Sequence, residues 1–173
     1  MTIPPPQATE FGSFYAGYIG QVGPNGPEAM LRNQVTAFAA LRALPDDRAN
    51  HRYADGKWTV KEVIGHISDT ERVFAYRLLR SARADETPLP GFDENAWAAA
   101  APHSGRPLAD VVDEMIAVRH STLALMGSLD EAALTRTVPA NNTPISVRAI
   151  CWIAAGHAEH HLGILSERYG VKV

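Results

Sequence analysis

Residues 147–169 read VRAICWIAAGHAEHHLGILSERY, a mostly apolar stretch that contains three of the chain's seven histidines. Ser146 precedes it, and serine is a residue type that caps helix N-termini. Gly170 follows it, and glycine is the type that most often ends a helix. The apolar residues between these two recur at helical spacing on one face. The stretch therefore predicts a long helix whose apolar face is buried against other helices.

A second long helix begins at residues 59–62, Thr-Val-Lys-Glu, which form a capping box. An apolar stripe follows it to about residue 82 and consists of Val60, Val63, Ile67, Phe74 and Leu78. Similar stripes predict helix one, from Pro27 to a stop at Pro45, and helix three, which begins at Leu108. Residues 147–169 are then helix four.

The segments between these helices indicate how they are connected. Residues 83–107 contain four prolines and two glycines, with room for a short helix at 93–101. This connection is longer than an antiparallel hairpin needs, and it predicts a crossover that lets helices two and three run parallel. Between helices three and four we expect a short piece at 130–134 and then a loop around Asn141 and Asn142. The expected fold is all-α, a four-helix bundle with a long crossover.

The first 26 residues differ from the rest of the chain because they are rich in proline and glycine. They predict an irregular lead-in segment that Phe14, Tyr15 and Tyr18 anchor to the bundle. We therefore divide the chain into a lead-in segment at 1–26 and a bundle domain at 27–173.

The bulk composition excludes several classes of protein. Hydrophobic residues make up 46% of the chain and the formal net charge is -3, so neither disorder nor attraction to nucleic acid or an anionic membrane is expected. The N-terminal residues lack the pattern of an export signal and no apolar run could span a bilayer, which predicts a cytoplasmic protein. Cys151 is the single cysteine and is expected to be buried. Pairing into a homodimer is left open.

Two histidines of helix four are spaced so that they could share one ligand. His157 and His161 are four residues apart, which places them about 40° apart on the apolar face. Such a pair can hold a metal ion, as in zincin helices, although two half-buried histidines without a metal are the alternative. Ala158 follows His157, so the order is not His-Glu-x-x-His and a zincin-type metalloprotease is excluded. His160 is a rival second ligand, and spacing alone does not decide.

His66 on helix two strengthens the metal hypothesis. It lies at the border of the apolar stripe, and Glu62, Asp69 and Arg77 lie along the same edge. Polar groups on an inward border are costly unless they serve one another or an ion, so these three are candidate helpers of a catalytic site. The structural alternatives are a helix cap for Glu62 and a surface ion pair for Asp69. Arg77 could hold an anionic group of a substrate or thiol, or form a salt bridge with Asp69 or Glu114.

The other histidines and two tryptophans favour ordinary roles. We expect three solvated histidines in or near loops or on polar faces: His51, His103 and His120. Trp58 is expected to plug the end of the bundle, and Trp152 to pack against another helix or the lead-in segment. Asp93 and Trp97 in the crossover could form a lid over the site.

Two stretches of this sequence resemble a known family. Residues 58–72, WTVKEVIGHISDTER, and residues 156–165, GHAEHHLGIL, together are similar to the DinB superfamily of four-helix metalloenzymes. The resemblance extends over residues 27–169, nearly the whole chain. It implies that the metal ligands are His66, His157 and His161, and it selects His161 over His160.

Three neutral imidazoles suit zinc or nickel better than calcium or magnesium, and three protein ligands leave an open coordination position. A water or thiol bound there becomes more acidic. Characterised relatives include transferases and isomerases that use bacillithiol or mycothiol. The resemblance therefore implies a metal-dependent thiol S-transferase acting on a small molecule with a low-molecular-weight thiol. A metal-hydroxide hydrolase and a non-catalytic, stress-associated metal-binding protein are the alternatives.

Overall fold

The computed structural model describes residues 2–172, and four long helices form its framework. The elements in chain order are α1 (Ala16–Ile19), α2 (Gly26–Ala40), α3 (Asp46–Ala49), α4 (Val60–Ala82), α5 (Glu94–Ala100), α6 (Leu108–Gly127), β1 (Thr137–Ala140), β2 (Thr143–Ser146) and α7 (Val147–Tyr169). Helices α2, α4, α6 and α7 are the four predicted helices, so the four-helix bundle is confirmed. Within residues 2–172, no helix is long and apolar enough to cross a membrane.

The ends of the two helices that carry the candidate ligands follow the local rules. At the start of α4, Glu62 N donates to Thr59 Oγ1 over 3.1 Å and Thr59 N donates to Glu62 Oε2 over 2.7 Å, which completes the capping box. At the start of α7, Ala149 N donates to Ser146 Oγ over 3.1 Å. Gly170 ends α7 in the left-handed conformation at φ 62°. Both predicted starts and the predicted end are therefore confirmed.

Helices α4 and α6 run parallel, as the long crossover predicted. Near the N-terminal ends of both helices, Ser104 Oγ donates to Glu62 Oε1 over 2.7 Å. Ten residues further along each chain segment, Arg72 Nη2 lies 2.6 Å from Glu114 Oε1. Helix α7 runs antiparallel to α4, because Tyr169 Oη at its end donates to the carbonyl of Trp58 over 2.6 Å. Residues 83–107 cross the length of the bundle to make this arrangement.

The apolar core consists of two clusters with a polar layer between them. One cluster includes Leu31 and Phe74 and surrounds the hairpin and the first half of α7. The other includes Phe38 and Ile67 and fills the opposite end of the bundle. Buried polar side chains from all four long helices occupy the level between the clusters: Gln34, Thr70, Glu71, Arg119, Thr122 and His157. This middle level is therefore where the fold places its polar chemistry.

The expectation of a loop around Asn141 and Asn142 is wrong, because residues 137–146 form a β-hairpin. Val138 and Ile145 face each other in the antiparallel register, and both are buried. Asn141 and Asn142 have φ values of 50° and 61°, as a tight hairpin turn requires. Two asparagines between short runs that contain β-branched residues were the available signal. The predicted piece at 130–134 consists of turns.

The lead-in segment contains short 3₁₀ turns and α1, and it packs along α7. Ile3 is buried, and its carbonyl accepts a hydrogen bond from Trp152 Nε1 over 3.2 Å, so the expected packing of Trp152 is confirmed. Tyr15 and Tyr18 pack against the core, whereas Phe14 is 77% exposed and does not anchor the segment as expected. The backbone approaches α7 so closely that a Cβ on Gly156 would lie 1.8 Å from the carbonyl oxygen of Tyr18.

Candidate metal centre

Three histidines from two helices converge at the polar middle level of the bundle. His66 comes from α4, and His157 and His161 come from adjacent turns of α7. One ring nitrogen of each lies within 4.8 Å of the others, and His66 Nε2 is 3.2 Å from His157 Nε2. All three side chains are buried. The structure thus brings together the three histidines singled out in the sequence.

Burial keeps these imidazoles neutral. It lowers the pKa of His66 from 6.5 to about 4, although the carboxylates of Glu94 and Asp69 act in the opposite direction. Burial and the neighbouring rings lower the pKa of His161 to about 3, and they lower that of His157 well below 6.5. Neutral imidazoles have free lone pairs, which is the state a metal ion needs. The three donors therefore fit a borderline divalent cation.

The orientation of His66 is set by its neighbour one turn along α4. Its Nδ1 lies 3.5 Å from Thr70 Oγ1, which is a long hydrogen bond. The other ring nitrogen of His66, Nε2, is the one that faces His157 Nε2. Thr70 is itself buried, so the ring has little freedom to turn away.

Aromatic rings surround the histidine cluster. The Trp58 ring lies 4.7 Å from that of His66. Tyr18 and Phe74 meet His157 edge-on at 5.3 and 5.7 Å. These contacts restrict the access of water to the nitrogens. Trp58 is therefore a wall of the site, which its predicted role as a plug at the end of the bundle did not include.

The cluster opens into a cavity of about 380 Å³. Its lining includes all three histidines, six aromatic side chains (Phe14, Tyr15, Tyr18, Trp58, Phe74 and Phe92) and the charged residues Arg77 and Glu94. A groove of about 480 Å³ between α2 and α7 is larger but contains none of the three histidines. Since a mostly apolar cavity with a few convergent polar groups is typical of ligand sites, we take the cavity that contains the histidines as the candidate site.

Two of the three predicted helpers lie outside this cavity. Glu62 is occupied by the helix cap and by Ser104, its predicted structural alternative. Asp69 accepts a hydrogen bond from Arg72 and lies 3.3 Å from His103 Nε2. Arg77 does line the cavity, and its predicted salt bridge with Asp69 or Glu114 is not formed. Glu114 pairs instead with Arg72 and Arg106.

His103 is buried, so the expectation that it is solvated is wrong. Its ring packs on α4, where a Cβ on Gly65 would lie 2.3 Å from it. A glycine inside an amphipathic helix was the signal for this close approach. His51 and His120 are exposed, as expected. Cys151 is buried as predicted, and burial raises the pKa of its thiol to about 12.

The crossover contributes different residues to the site from those expected. Asp93 caps α5 by accepting hydrogen bonds from the backbone of Asn95 and Ala96. Trp97 stacks on Phe92 and is 44% exposed, so it does not cover the histidines as a lid. Glu94, between these two, lines the cavity and was not predicted. An acidic residue in the first turn of a short helix carries no periodic signal that marks it as part of a site.

The remaining polar residues of the motif at 156–165 point elsewhere. Glu159 Oε2 accepts a hydrogen bond from Gln34 Nε2 over 2.8 Å, which directs it toward α2. His160 packs on the Tyr18 ring at 5.4 Å and is not one of the three convergent histidines. Glu159 does not line the cavity and therefore cannot serve as a general base there. This agrees with the sequence, which lacks the His-Glu-x-x-His order of the zincins.

Comparison with known proteins gives a consistent result. The model of the DinB superfamily matches residues 29–165. A protein from Oceanobacillus iheyensis named "Putative metal-dependent hydrolase" is 29% identical over 124 residues, 70% of each chain. A protein from Bacillus subtilis named "Putative metal-dependent hydrolase YfiT" is 25% identical over 142 residues, which are 74% of this chain and 73% of that protein. The solved YfiT structure, described as "a probable metal-dependent hydrolase with an unusual four-helix bundle topology", covers 96% of this chain and 94% of its own with a TM-score of 0.71 at 19% identity.

Proposed function

We propose that this chain, which belongs to the DinB superfamily, is a metal-dependent hydrolase that holds one divalent ion, zinc or nickel, on His66, His157 and His161. The observation that carries the proposal is the convergence of three buried imidazoles at one end of an aromatic-walled cavity. The relatives named for metal-dependent hydrolysis support the reaction class.

The donor set suits hydrolysis because three protein ligands would leave a divalent ion free to bind water or substrate as well. A divalent ion held there supplies Lewis acidity, which polarises a carbonyl or phosphoryl oxygen and makes hydroxide available near neutral pH. Since the three ligands are neutral, they leave the full positive charge of the ion to act on the reactants. Trp58, Tyr18 and Phe74 exclude bulk water and so strengthen this electrostatic effect.

Glu94 is the carboxylate placed to move a proton in this reaction. It lies at the exposed rim of the cavity that His66 and Tyr18 also line, and its charge acts to raise the pKa of both. As general base, its carboxylate takes the proton of the attacking water and later returns it to the leaving group. We expect Glu94→Gln to lower kcat by about a hundredfold or more while metal content is unchanged. Unchanged kcat in Glu94→Gln would remove this assignment.

The first experiment measures metal content and hydrolysis together. Wild-type chain, loaded with zinc or nickel, is expected to bind one ion and to hydrolyse members of a panel of ester, amide and phosphoester substrates. His157→Ala is expected to lose both properties. His160→Ala is the matched control, since this histidine lies on the same helix outside the cluster and should keep both. Equal metal content in wild type and His157→Ala would overturn the proposal.

The thiol S-transferase implied by the sequence resemblance is the second candidate. The same three ligands would hold a thiolate, and a cavity of about 380 Å³ has room for a small thiol. Metal-loaded chain is assayed with a halogenated aromatic electrophile, with and without bacillithiol, mycothiol or glutathione. Turnover that needs a thiol, with no hydrolysis in its absence, would replace the hydrolase. Tight metal binding without any turnover would indicate the non-catalytic metal-binding protein.

A further inference from the structure

Arg77 is a buried cation without a carboxylate partner. Its side chain is 2% exposed, and it makes one side-chain hydrogen bond, from Nη2 to the carbonyl oxygen of Pro90 over 2.9 Å. Among the salt bridges of residues 2–172, none involves Arg77. Arginine stays protonated at any physiological pH, so this charge is permanent.

A buried, permanent charge costs free energy unless other groups compensate it. Arg119, the other deeply buried arginine, shows the usual solution, because Glu71 accepts hydrogen bonds from both its Nε and its Nη2. Arg77 has only a neutral carbonyl oxygen. Among residues 2–172, His103 Nδ1 is the one side-chain nitrogen or oxygen that is fully buried and has no hydrogen-bond partner. No nitrogen of Arg77 is in this state. The N–H groups of Arg77 that donate no hydrogen bond therefore keep some contact with open space, and Arg77 lines both the histidine cavity and a neighbouring cavity of about 390 Å³.

Arg77 lies on the same face of α4 as His66. The two are eleven residues apart, which is about 20° in rotation and about 16 Å along the helix axis. Both side chains lean toward the N-terminus of the helix, and arginine is the longer, so the guanidinium is closer to the histidine cluster than the axial spacing of the two residues. The separation between the guanidinium and the histidine cluster is then on the order of 10 Å. Phe74 lies between them in sequence and also lines the cavity.

We propose that Arg77 binds the carboxylate of a small amphipathic substrate whose apolar body lies along the aromatic wall. The guanidinium matches a carboxylate in shape and charge, and its partial enclosure strengthens the pair. The reactive bond, at the other end of the molecule, then lies at the histidine cluster. The substrate class is carboxylate-bearing esters or amides with an apolar segment on the order of 10 Å long. The placement of the reactive bond rests on the proposed function, whereas carboxylate binding does not.

The test compares an acid with its neutral isostere. Binding of 6-phenylhexanoate and of 6-phenylhexanamide is measured by calorimetry on metal-free chain and again on zinc-loaded chain. We expect metal-free wild type to prefer the acid by about tenfold or more, since a hydrogen bond to a charged group is worth that ratio. Metal-free chain is essential, because a bound cation would attract a carboxylate by itself.

The variants identify the residue. Arg77→Gln and Arg77→Met are expected to bind acid and amide equally, whereas Arg77→Lys keeps part of the preference. Arg83→Gln is the matched control, because it removes an exposed arginine at the end of the same helix and should leave the preference unchanged. Circular dichroism shows which variants fold. The comparison of acid and amide binding by the wild-type chain tests the proposal even if no variant folds.

The outcomes separate this inference from the proposed function. Equal binding of acid and amide by metal-free wild type overturns the carboxylate site, even where metal-dependent hydrolysis is found. A preference that persists in folded Arg77→Gln assigns the carboxylate to another group and also overturns it. Conversely, a preference lost in Arg77→Gln supports the site whether or not hydrolysis is observed. With an active ester series, Arg77→Gln should raise KM for the carboxylate-bearing ester and leave KM for its neutral analogue unchanged.

Discussion

Two clusters of buried polar side chains share the middle level of the bundle and are built in opposite ways. The histidine cluster, His66, His157 and His161, faces the cavity, and its rings meet mainly one another and aromatic walls. The other cluster consists of the buried residues Gln34, Glu71 and Arg119 with half-buried Glu159 beside them, and we call it the Arg119 network. Its central arginine is 0% exposed.

Hydrogen bonds within the Arg119 network satisfy all three guanidinium nitrogens of Arg119. Arg119 donates to Glu71, to Gln34 Oε1 over 2.7 Å and to the carbonyl oxygen of Leu31 over 3.1 Å. Gln34 Nε2 in turn donates to the Ala155 carbonyl oxygen over 3.1 Å and to Glu159 Oε2 over 2.8 Å. The network thereby connects α2, α4, α6 and α7. A charge pair with this many partners holds the four helices in register.

The contrast indicates how to assign roles to buried polar groups. A cluster that satisfies itself is structural, whereas one with unused lone pairs beside a cavity is suited to bind something that is not part of the chain. The histidine cluster has such lone pairs, and Arg77 has N–H donors that no carboxylate occupies. The expected effects of mutation differ accordingly, in folding for one cluster and in ligand binding for the other.

The largest expected effect on stability is in the Arg119 network. Arg119→Met leaves the buried carboxylate of Glu71 unpaired, which should lower the free energy of unfolding by about 3–5 kcal/mol. The double variant Arg119→Met, Glu71→Leu should recover much of this loss, because no charge then remains unpaired. Urea unfolding of metal-free chain measures both. If folded Arg119→Met lost its metal while keeping its stability, the division between the two clusters would fail.

A smaller effect is expected from Gly156→Ala, which tests the support of the histidine cluster by the lead-in segment. The added methyl group would lie 1.8 Å from the Tyr18 carbonyl oxygen, so backbone must move, at a cost of about 1–3 kcal/mol. Tyr18 should then leave His157, and metal should dissociate faster. Gly163→Ala on the same helix meets nothing within 4 Å, and helix propensity should make it neutral or stabilising. Equal behaviour of the two variants would contradict the close approach.

The smallest effect concerns pH. Burial lowers the pKa of each clustered imidazole below 6.5 in the folded chain. The pKa is about 4 for His66 and about 3 for His161. The unfolded chain therefore binds more protons below pH 6.5, and metal-free chain loses stability as the pH falls from 6.5 toward 4. His161→Gln should reduce this slope by about 1 kcal/mol per pH unit relative to wild type. Melting temperatures between pH 7.5 and 4.5 would show the difference, and identical slopes would refute it.

Much of the fold follows from local patterns in the sequence. The capping box at Thr59 and Glu62, the Ser146 cap and Gly170 set the ends of α4 and α7 because they act within one helical turn. The length of the 83–107 connection predicted the parallel arrangement of α4 and α6. The hairpin was missed because the paired strands have four residues each and little periodicity to detect.

The site was predicted in part, and the reason is again the range over which each signal acts. His157 and His161 share one helix, so their common face follows from spacing. The addition of His66 needed polar residues on an inward border together with a resemblance to a family. Glu94, Trp58 and Tyr18 reach the cavity from the crossover, the segment before α4 and the lead-in segment. No periodic pattern connects such segments to a helix face far away in sequence.

The sequence by itself therefore determined the four helices, their ends and the histidine face of α7, because periodicity and capping depend on near neighbours. Only the tertiary structure decided which polar groups are satisfied. In the folded chain, Arg119 pairs with Glu71. Asp69 contacts Arg72 and His103. Arg77 has no carboxylate partner and donates to a carbonyl oxygen. These outcomes depend on which helices lie side by side and at what level. The sequence does not show which partner a charged side chain will have. In this protein, buried polar groups that have partners stabilise the fold, and those without partners are the candidates for binding a ligand.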